Sequence, residues 1–163
     1  MPVTYHPIAT QTLGSSTATV TFNSIPNTYT DLIIVINGAA NSTANGQIQF
    51  NGDTGNNYSY TFLTGDGVSA TSGRATSTSR ILLNYYGYFD TGYSTNMITQ
   101  VQNYSNTTTR KTVLSRSNNA SNGTAAVVGM WANTAAITSV TITTGSSTFT
   151  AGNTFTIYGI KAA

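Results

Sequence analysis

Apolar and polar residues alternate along most of this chain. In residues 17–22 every second position is apolar and the positions between them are threonines, and residues 58–62 alternate Tyr or Phe with Ser or Thr. A period of two is the pattern of a strand with one buried face. No window shows the period of an amphipathic helix, so the pattern predicts an all-β chain.

The alternating runs are bounded by Gly, Asn, Ser and Pro, which favour turns. Many short strands of this kind are typical of a two-sheet antiparallel β-sandwich, and a jelly roll is the expected subtype. Pro26 also allows a short helical turn near 26–30. No linker interrupts the pattern, so one domain is expected over 1–163. The predicted strands are 3–11, 17–23, 31–37, 46–51, 58–63, 79–86, 96–103, 111–116, 125–131, 136–143 and 154–160.

Two predicted strands do not alternate. Residues 32–36 read LIIVI and residues 125–131 read AAVVGMW, so both are apolar on each face. Such strands are expected in the middle of a sheet with both faces covered. Coverage of the second face requires another layer of the chain or a partner subunit.

One long segment has the opposite character. Residues 65–79 read GDGVSATSGRATSTS and contain almost no large apolar side chain. The segment is predicted to be a mobile loop or an arm that contacts a partner.

The composition excludes several classes of function. Charged residues make up 6% of the chain, there is no Glu or Cys, and the net charge is +2. The few cations do not form the basic face that nucleic acid requires, and thiolate sites are absent. The single His6 has no Gly-x-Ser-x-Gly partner motif. We therefore expect a protein that is not an enzyme, uses no cofactor and binds no nucleic acid. No signal peptide or membrane-length apolar run is visible.

The stretch FNGDTGNNYSYTF at 50–62 contains Asp53, one of four acids. A calcium loop needs several oxygen ligands, and this stretch offers one carboxylate with nearby amides. Asn-Gly and Asp-x-Gly are also turn sequences. A hairpin turn in which Asp53 accepts backbone hydrogen bonds is favoured, and calcium binding stays open as the lesser alternative.

Aromatic residues are concentrated in residues 84–93, NYYGYFDTGY. Tyrosine joins a flat apolar ring to a polar tip and is common at interfaces. Three roles remain open: core and turn packing, a protein–protein interface, and stacking on a glycan. The interface candidates are Tyr85, Tyr86, Tyr88, Phe89 and Tyr93.

A second set of interface candidates is Arg110, Lys111 and Arg116. With a period of two, Arg110 and Arg116 share one face and Lys111 takes the other. The set is either a solvated strand face or a face that pairs with an acidic partner. Trp131, in the doubly apolar run 125–131, is expected in the core.

Three segments resemble a family of small virion proteins of tailed phages, common in marine and cyanobacterial phages. They are VTFNSIPNTYTDLIIVI at 20–36, FNGDTGNNYSYTFL at 50–63 and FTIYGIKAA at 155–163. The resemblance implies a structural protein of the particle with no catalytic residues. The matching positions, interpreted as fold determinants, are Pro26, Tyr29, Asp31, Asn51, Gly52, Asp53, Tyr58, Tyr60, Tyr158 and Gly159.

The resemblance and the neutral composition together give a functional expectation. The chain is expected to be a capsid decoration (cement) protein of the virion, assembled in the host cytoplasm. It would bind the outer surface of the major capsid protein as a homotrimer at local three-fold positions. The alternative is a tail-fibre module that recognises host surface glycan. A non-viral carbohydrate-binding or adhesin domain is a third, weaker hypothesis.

Overall fold

The computed structural model describes residues 4–161, which form strands, turns and bends without a helix. The helical turn expected near 26–30 is therefore wrong, and residue 3 of the predicted strand 3–11 lies outside the described range. The strands are β1 Tyr5–Thr12, β2 Thr19–Phe22, β3 Asp31–Gly38, β4 Gln47–Phe50, β5 Tyr58–Gly65, β6 Ala70–Thr78, β7 Ile81–Leu82, β8 Thr95–Gln102, β9 Lys111–Asn119, β10 Gly123–Trp131, β11 Val140–Thr143 and β12 Thr154–Ile160.

The strands form two sheets. The larger has eight strands in the order β1-β12-β3-β8-β9-β10-β5-β6, and the smaller has four in the order β2-β11-β4-β7. All neighbouring strands are antiparallel. The predicted two-sheet antiparallel β-sandwich is confirmed.

Alternation sets which side chains enter the core. In β3, Leu32, Ile34 and Ile36 are fully buried, while the residues between them point to the other side of the sheet. The same rule applies to β12, where Phe155 and Ile157 are buried. The inward side chains of both sheets form one apolar cluster.

Most of the polar segment 65–79 forms strand β6, so the predicted mobile loop is wrong there, while contact with a partner stays a prediction. Asp66 accepts hydrogen bonds from the backbone N–H groups of Val68 (2.9 Å) and Ser69 (2.7 Å), which fixes the β5–β6 turn. Gly73 then lies against Phe62, where a Cβ would come within 2.6 Å of the ring. Small residues let β6 pair with β5 beneath the ring of Phe62. A strand of this kind has no alternation of large apolar residues, so its sequence does not indicate a strand.

The predicted strand 79–86 shortens to the two residues of β7. The reason is Asn84, whose side chain is buried beyond the strand. Its Oδ1 accepts from the N–H of Gly46 (2.6 Å) and its Nδ2 donates to the carbonyl of Gly87 (2.8 Å). These side-chain bonds replace a strand ladder and direct the chain away from the sheet.

Residues 84–93 cover part of the inner face of the larger sheet. Four strands cannot cover eight, so the wider sheet needs additional side chains over its inner surface. Phe89 is fully buried and forms a bridge with Ala44, and Asn119 Nδ2 donates to the carbonyl of Tyr88 (2.9 Å). The segment is thus part of the fold as well as of the surface.

Candidate interaction surfaces

The sandwich has two outward faces with different chemistry. The outward side chains of the four-stranded sheet are hydroxyls and amides that bond to one another. Thr21 and Thr141 share a hydrogen bond (3.3 Å), and Thr143 donates to Gln47 Oε1 (3.3 Å). This surface is the neutral, hydrated one that the composition predicts.

The outward face of the eight-stranded sheet carries apolar side chains on every strand from β1 to β5 in the sheet order, with polar side chains between them. We call it the outer face. Ile98 is 41% exposed, Leu114 38% and Val128 51%. No other layer of the described chain covers these side chains. The apolar members of the outer face include Tyr5, Ile33, Val35, Leu63, Ile98, Leu114, Ala126, Val128, Met130, Tyr158 and Ile160.

Strand register gathers these side chains into rows. Gln100 pairs with Ile33 and with Leu114, and Leu114 pairs with Val128. Residues paired across antiparallel strands lie side by side on one face. A groove of about 460 Å³ follows these rows from Tyr5 toward β9.

The outer face carries cations without carboxylate partners. Arg116 borders the groove, and Arg74 lies at the β6 side of the sheet. Neither has an ion pair within the described residues. The acid of this face, Asp31, already accepts from Gln100 Nε2 (3.0 Å) and from the N–H of Asn103 (2.7 Å). Because the outer face has two arginines and one carboxylate, its net charge is positive.

The expectation for the doubly apolar strands holds in part. Strands β3 and β10 each have a neighbour on both sides, as predicted. The second face is not covered within the described chain, however, because Ile33 and Val35 are half-buried and Val128 is exposed. Of the two explanations that the sequence allowed, a second layer is wrong and a partner subunit stays a prediction.

The basic set separates across β9. Arg116 lies on the outer face and Arg110 is exposed just before the strand. Lys111 is fully buried on the opposite face, where Nζ donates to the carbonyls of Thr109 (2.7 Å) and Thr134 (2.9 Å). Burial lowers the pKa of Lys111. Lys111 is thus removed from the interface candidates, because its ammonium group is not available to a partner.

The tyrosine set also separates. Phe89 is buried in the core against Phe149 (ring centroids 5.2 Å apart), while Tyr93 is exposed. Tyr85 stacks on Phe62 at 4.5 Å and meets Tyr86 edge to face at 5.5 Å. The segment 84–93 therefore contributes one aromatic ring to the core and leaves others accessible to solvent.

Tyr88 completes this half-buried group. Its ring lies 5.6 Å from Tyr86, and burial raises the pKa of Tyr88, as do the neighbouring hydroxyls of Tyr85 and Tyr86. The phenol is consequently a neutral hydrogen-bonding group at neutral pH. Tyr85, Tyr86 and Tyr88 are half-buried and form the tyrosine cluster.

Asp53 joins the two sheets through its side chain. Trp131 Nε1 at the end of β10 donates to Oδ2 (2.7 Å), and Asn57 and the N–H of Gly55 also donate to the carboxylate. These bonds, the Trp131 bond first, lower the pKa of Asp53. The turn in which Asp53 accepts a backbone hydrogen bond is confirmed, as is the buried Trp131. The hairpin is wrong, because β4 and β5 belong to different sheets and the turn connects them. The Trp131–Asp53 bond was not predicted.

The geometry at Asp53 bears on the calcium alternative. Both carboxylate oxygens already accept hydrogen bonds from the protein. Across residues 4–161, no three acidic, His or Cys side chains gather as a set that could hold a metal ion. Calcium binding stays a prediction, and a thermal melt with and without a chelator tests it.

Several outer-face residues escaped the sequence analysis. Ile33, Val35, Ala126 and Val128 carry a signal, because their strands are apolar on both faces. Ile98 and Leu114 carry none, since each is a single apolar residue among polar neighbours of the outward set. Only the register, which places Ile98 beside Val35 and Leu114 beside Val128, identifies them as part of one surface.

Comparison with known proteins gives no match to a family model and no match to a curated protein. The part of the chain that the structure describes contains no helix with the length and hydropathy of a membrane span. The features of the molecule that bear on its function are therefore the chemistry and geometry of its two outward faces.

Proposed function

We propose that this chain is a non-enzymatic structural protein of a phage virion, a capsid decoration protein that binds the outer surface of the major capsid protein. The observation that carries the proposal is the outer face. Large apolar side chains exposed together on one face of a sheet favour a protein partner. The resemblance of 20–36, 50–63 and 155–163 to tailed-phage virion proteins supplies the class of particle.

We propose in addition that the core of the fold is a jelly roll. Strand order supports this. The pairs β1–β12 and β2–β11 join strands that are distant in sequence, and they lie in different sheets. In the larger sheet β3 pairs with β12, and in the smaller sheet β4 pairs with β11. The pairs β5–β6 and β9–β10 then widen the larger sheet. These added strands contribute Leu63, Leu114 and Val128, so the extension itself enlarges the outer face.

The charge of the outer face favours a different protein as partner over a second copy. Arg116 and Arg74 have no carboxylate facing them. A second copy docked by the same face brings two more arginines and only one carboxylate, Asp31, whereas an acidic capsid surface supplies the missing negative charge. Homotrimer formation is proposed through other surfaces, and mass photometry of the purified protein tests it.

The experiment uses two arginine substitutions at exposed strand positions. Val128→Arg changes the outer face, and Thr21→Arg changes the outward face of the smaller sheet. Each protein is added to particles from a phage mutant that lacks this gene. We expect Val128→Arg to lose at least about tenfold in affinity, because a charge must be desolvated in an apolar contact, and Thr21→Arg to bind like the wild type. Equal binding by both variants contradicts the proposal.

Copy number separates decoration from the tail-fibre alternative. A decoration protein is expected at hundreds of copies in each purified virion, which quantitative protein staining measures. Copies in single digits or low tens would instead favour a tail module. Absence of the chain from purified particles contradicts both.

A further inference from the structure

A polar hollow of about 410 Å³ opens beside the tyrosine cluster, away from the outer face. It lies between the start of β4, the residue that precedes β7 and the turn after β11. Its lining includes the side chains of Asn45, Gln47, Arg80, Tyr88 and Ser146. The volume falls within the usual range for sites that hold small organic ligands, about 300–1,000 Å³.

Arg80 is held in place at the edge of the hollow. Its Nη1 donates to Gln47 Oε1 (2.8 Å) and its Nε donates to Ser79 Oγ (3.3 Å). Gln47 Oε1 also accepts from Thr143 (3.3 Å), so the amide that orients Arg80 is itself fixed. The second terminal nitrogen of the guanidinium, Nη2, has no partner among the described residues.

Gly145 is needed for this arrangement. Its φ is +73°, and a Cβ at this position would lie 2.7 Å from Gln47 Nε2. A side chain there would displace the amide that holds Arg80. The turn after β11 therefore leaves room for Gln47 and, through it, sets the position of the cation.

Other polar groups of the hollow lack partners. Asn45 Oδ1 is buried and has no hydrogen bond. Buried polar atoms are nearly always paired in folded proteins. Asn45 lines the hollow, and no hydrogen bond within residues 4–161 fixes its side-chain amide. Ser146 Oγ and Gln47 Nε2 likewise have no protein partner within residues 4–161.

The chemistry of the lining selects a ligand class. No carboxylate lines the hollow, one guanidinium does, and the remaining groups are neutral donors and acceptors beside the Tyr88 ring. A guanidinium pairs well with a carboxylate. Amides and hydroxyls suit a ligand rich in hydroxyl groups, and a tyrosine ring offers a flat apolar surface. A sugar ring that carries one carboxylate has all three complements.

We propose that this hollow binds an acidic saccharide of the uronic acid type. Arg80 pairs with the carboxylate, Asn45, Gln47 and Ser146 bond to hydroxyl groups, and the Tyr88 ring lies against the sugar ring. The proposal goes beyond the structural role and does not depend on it. A decoration protein with this site would also contact acidic polysaccharide, on a surface separate from its capsid contact.

The test is an NMR titration of the ¹⁵N-labelled protein with methyl glucuronide and, separately, with methyl glucoside, which lacks only the carboxylate. We expect shifts at residues 43–47 and 144–146 and at least about tenfold weaker binding of the glucoside. Equal binding of the two sugars, shifts elsewhere, or no binding of either overturns the proposal.

Two variants sharpen the test. Arg80→Gln is expected to bind both sugars equally weakly, since it removes the group that distinguishes them. Arg74→Gln removes an exposed arginine of the outer face and should keep the tenfold preference. A preference retained in Arg80→Gln overturns the assignment of Arg80.

Inorganic phosphate is the third probe. Shifts with phosphate but none with the glucuronide would identify a general anion site and contradict a saccharide site. Binding of Val128→Arg to particles does not change with any of these results, so failure of the saccharide site and failure of the proposed function remain distinguishable.

Discussion

The two outward faces of the sandwich are built from the same kind of alternating strand, yet one is polar and the other apolar. On the smaller sheet the outward residues are Thr and Gln, such as Thr21 and Gln49. On the larger sheet they include Ile98, Leu114 and Val128. Folding requires only that the inward side chains be apolar. Burial of the core therefore does not account for the apolar outer face, and we propose that a partner does.

The largest expected effect separates the two sides of one strand. Ile34 is fully buried and Ile33 lies on the outer face. Ile34→Ala should lower the free energy of unfolding by about 3 kcal/mol, because it leaves a cavity in the core. Ile33→Ala should cost less than half as much, since no layer packs over it. Urea denaturation measures both, and equal losses would show that the outer face is kept for stability.

The next effect concerns the bond that joins the sheets. Asp53→Ala removes the acceptor of the buried Trp131 N–H and should cost about 2 kcal/mol, the range for hydrogen bonds to a charged group. Asp66→Ala changes an exposed turn of β5–β6 and serves as the control with a smaller loss. Thermal or urea unfolding compares the two. A loss at Asp53 no larger than at Asp66 would mean that this bond does not fix the sheets.

The same carboxylate gives the stability a pH dependence. The pKa of Asp53 is lowered by the Trp131 bond first, then by Asn57 and Gly55. Its contribution to stability is therefore present above the ordinary Asp pKa of 3.8 and is lost as pH falls through the lower folded value. Wild-type unfolding should become easier below about pH 4, and Asp53→Asn should show a flatter acid limb. An unchanged acid limb in the variant would assign the loss to other groups.

A smaller effect is expected where the outer face is made polar. The double variant Leu114→Thr and Val128→Thr should change the free energy of unfolding by about 0.5 kcal/mol or less, as is usual for exposed positions. It should nevertheless weaken attachment to particles. Denaturation and particle binding measured on the same sample decide this, and a large loss of stability would remove the distinction between the two faces.

The smallest effect is a difference in chemical reactivity between two lysines. Lys111 is enclosed by the core, whereas Lys161 is exposed at the end of the described chain. Acetylation at mild alkaline pH should modify Lys161 rapidly and leave Lys111 intact, which peptide mass spectrometry can follow. Acetylation of Lys111 in folded protein would show that the inner side of β9 opens to solvent.

The sequence predicts the fold class well and the surfaces only in part. Alternation in 17–22 and 58–62 is a local signal of a strand, and the sandwich follows from many such signals. Strand β6 lacks large apolar residues, so its pairing depends on Phe62 and Gly73 from different parts of the chain. The burial of Lys111 likewise depends on residues that are distant in sequence, because its ammonium group donates to the carbonyl of Thr134 as well as to that of Thr109.

The candidate surfaces depend even more on long-range geometry. Register across β3, β8, β9 and β10 joins single apolar residues into the outer face. The polar hollow brings together residues 43–47, 80, 88 and 144–146, whose spacing in sequence gives no common pattern. Local periodicity reports which way a side chain points, and tertiary structure decides which other side chains it meets.

The most direct test of the central claim is a cryo-EM map of the intact particle in which this chain is located. The account predicts capsid protein packed along β8, β9 and β10, in contact with Ile98, Leu114 and Val128 and with acidic groups near Arg116. The outward face of the smaller sheet should then be exposed to solvent. A map in which the outer face is exposed, and the Thr- and Gln-lined sheet makes the contact, would contradict the account.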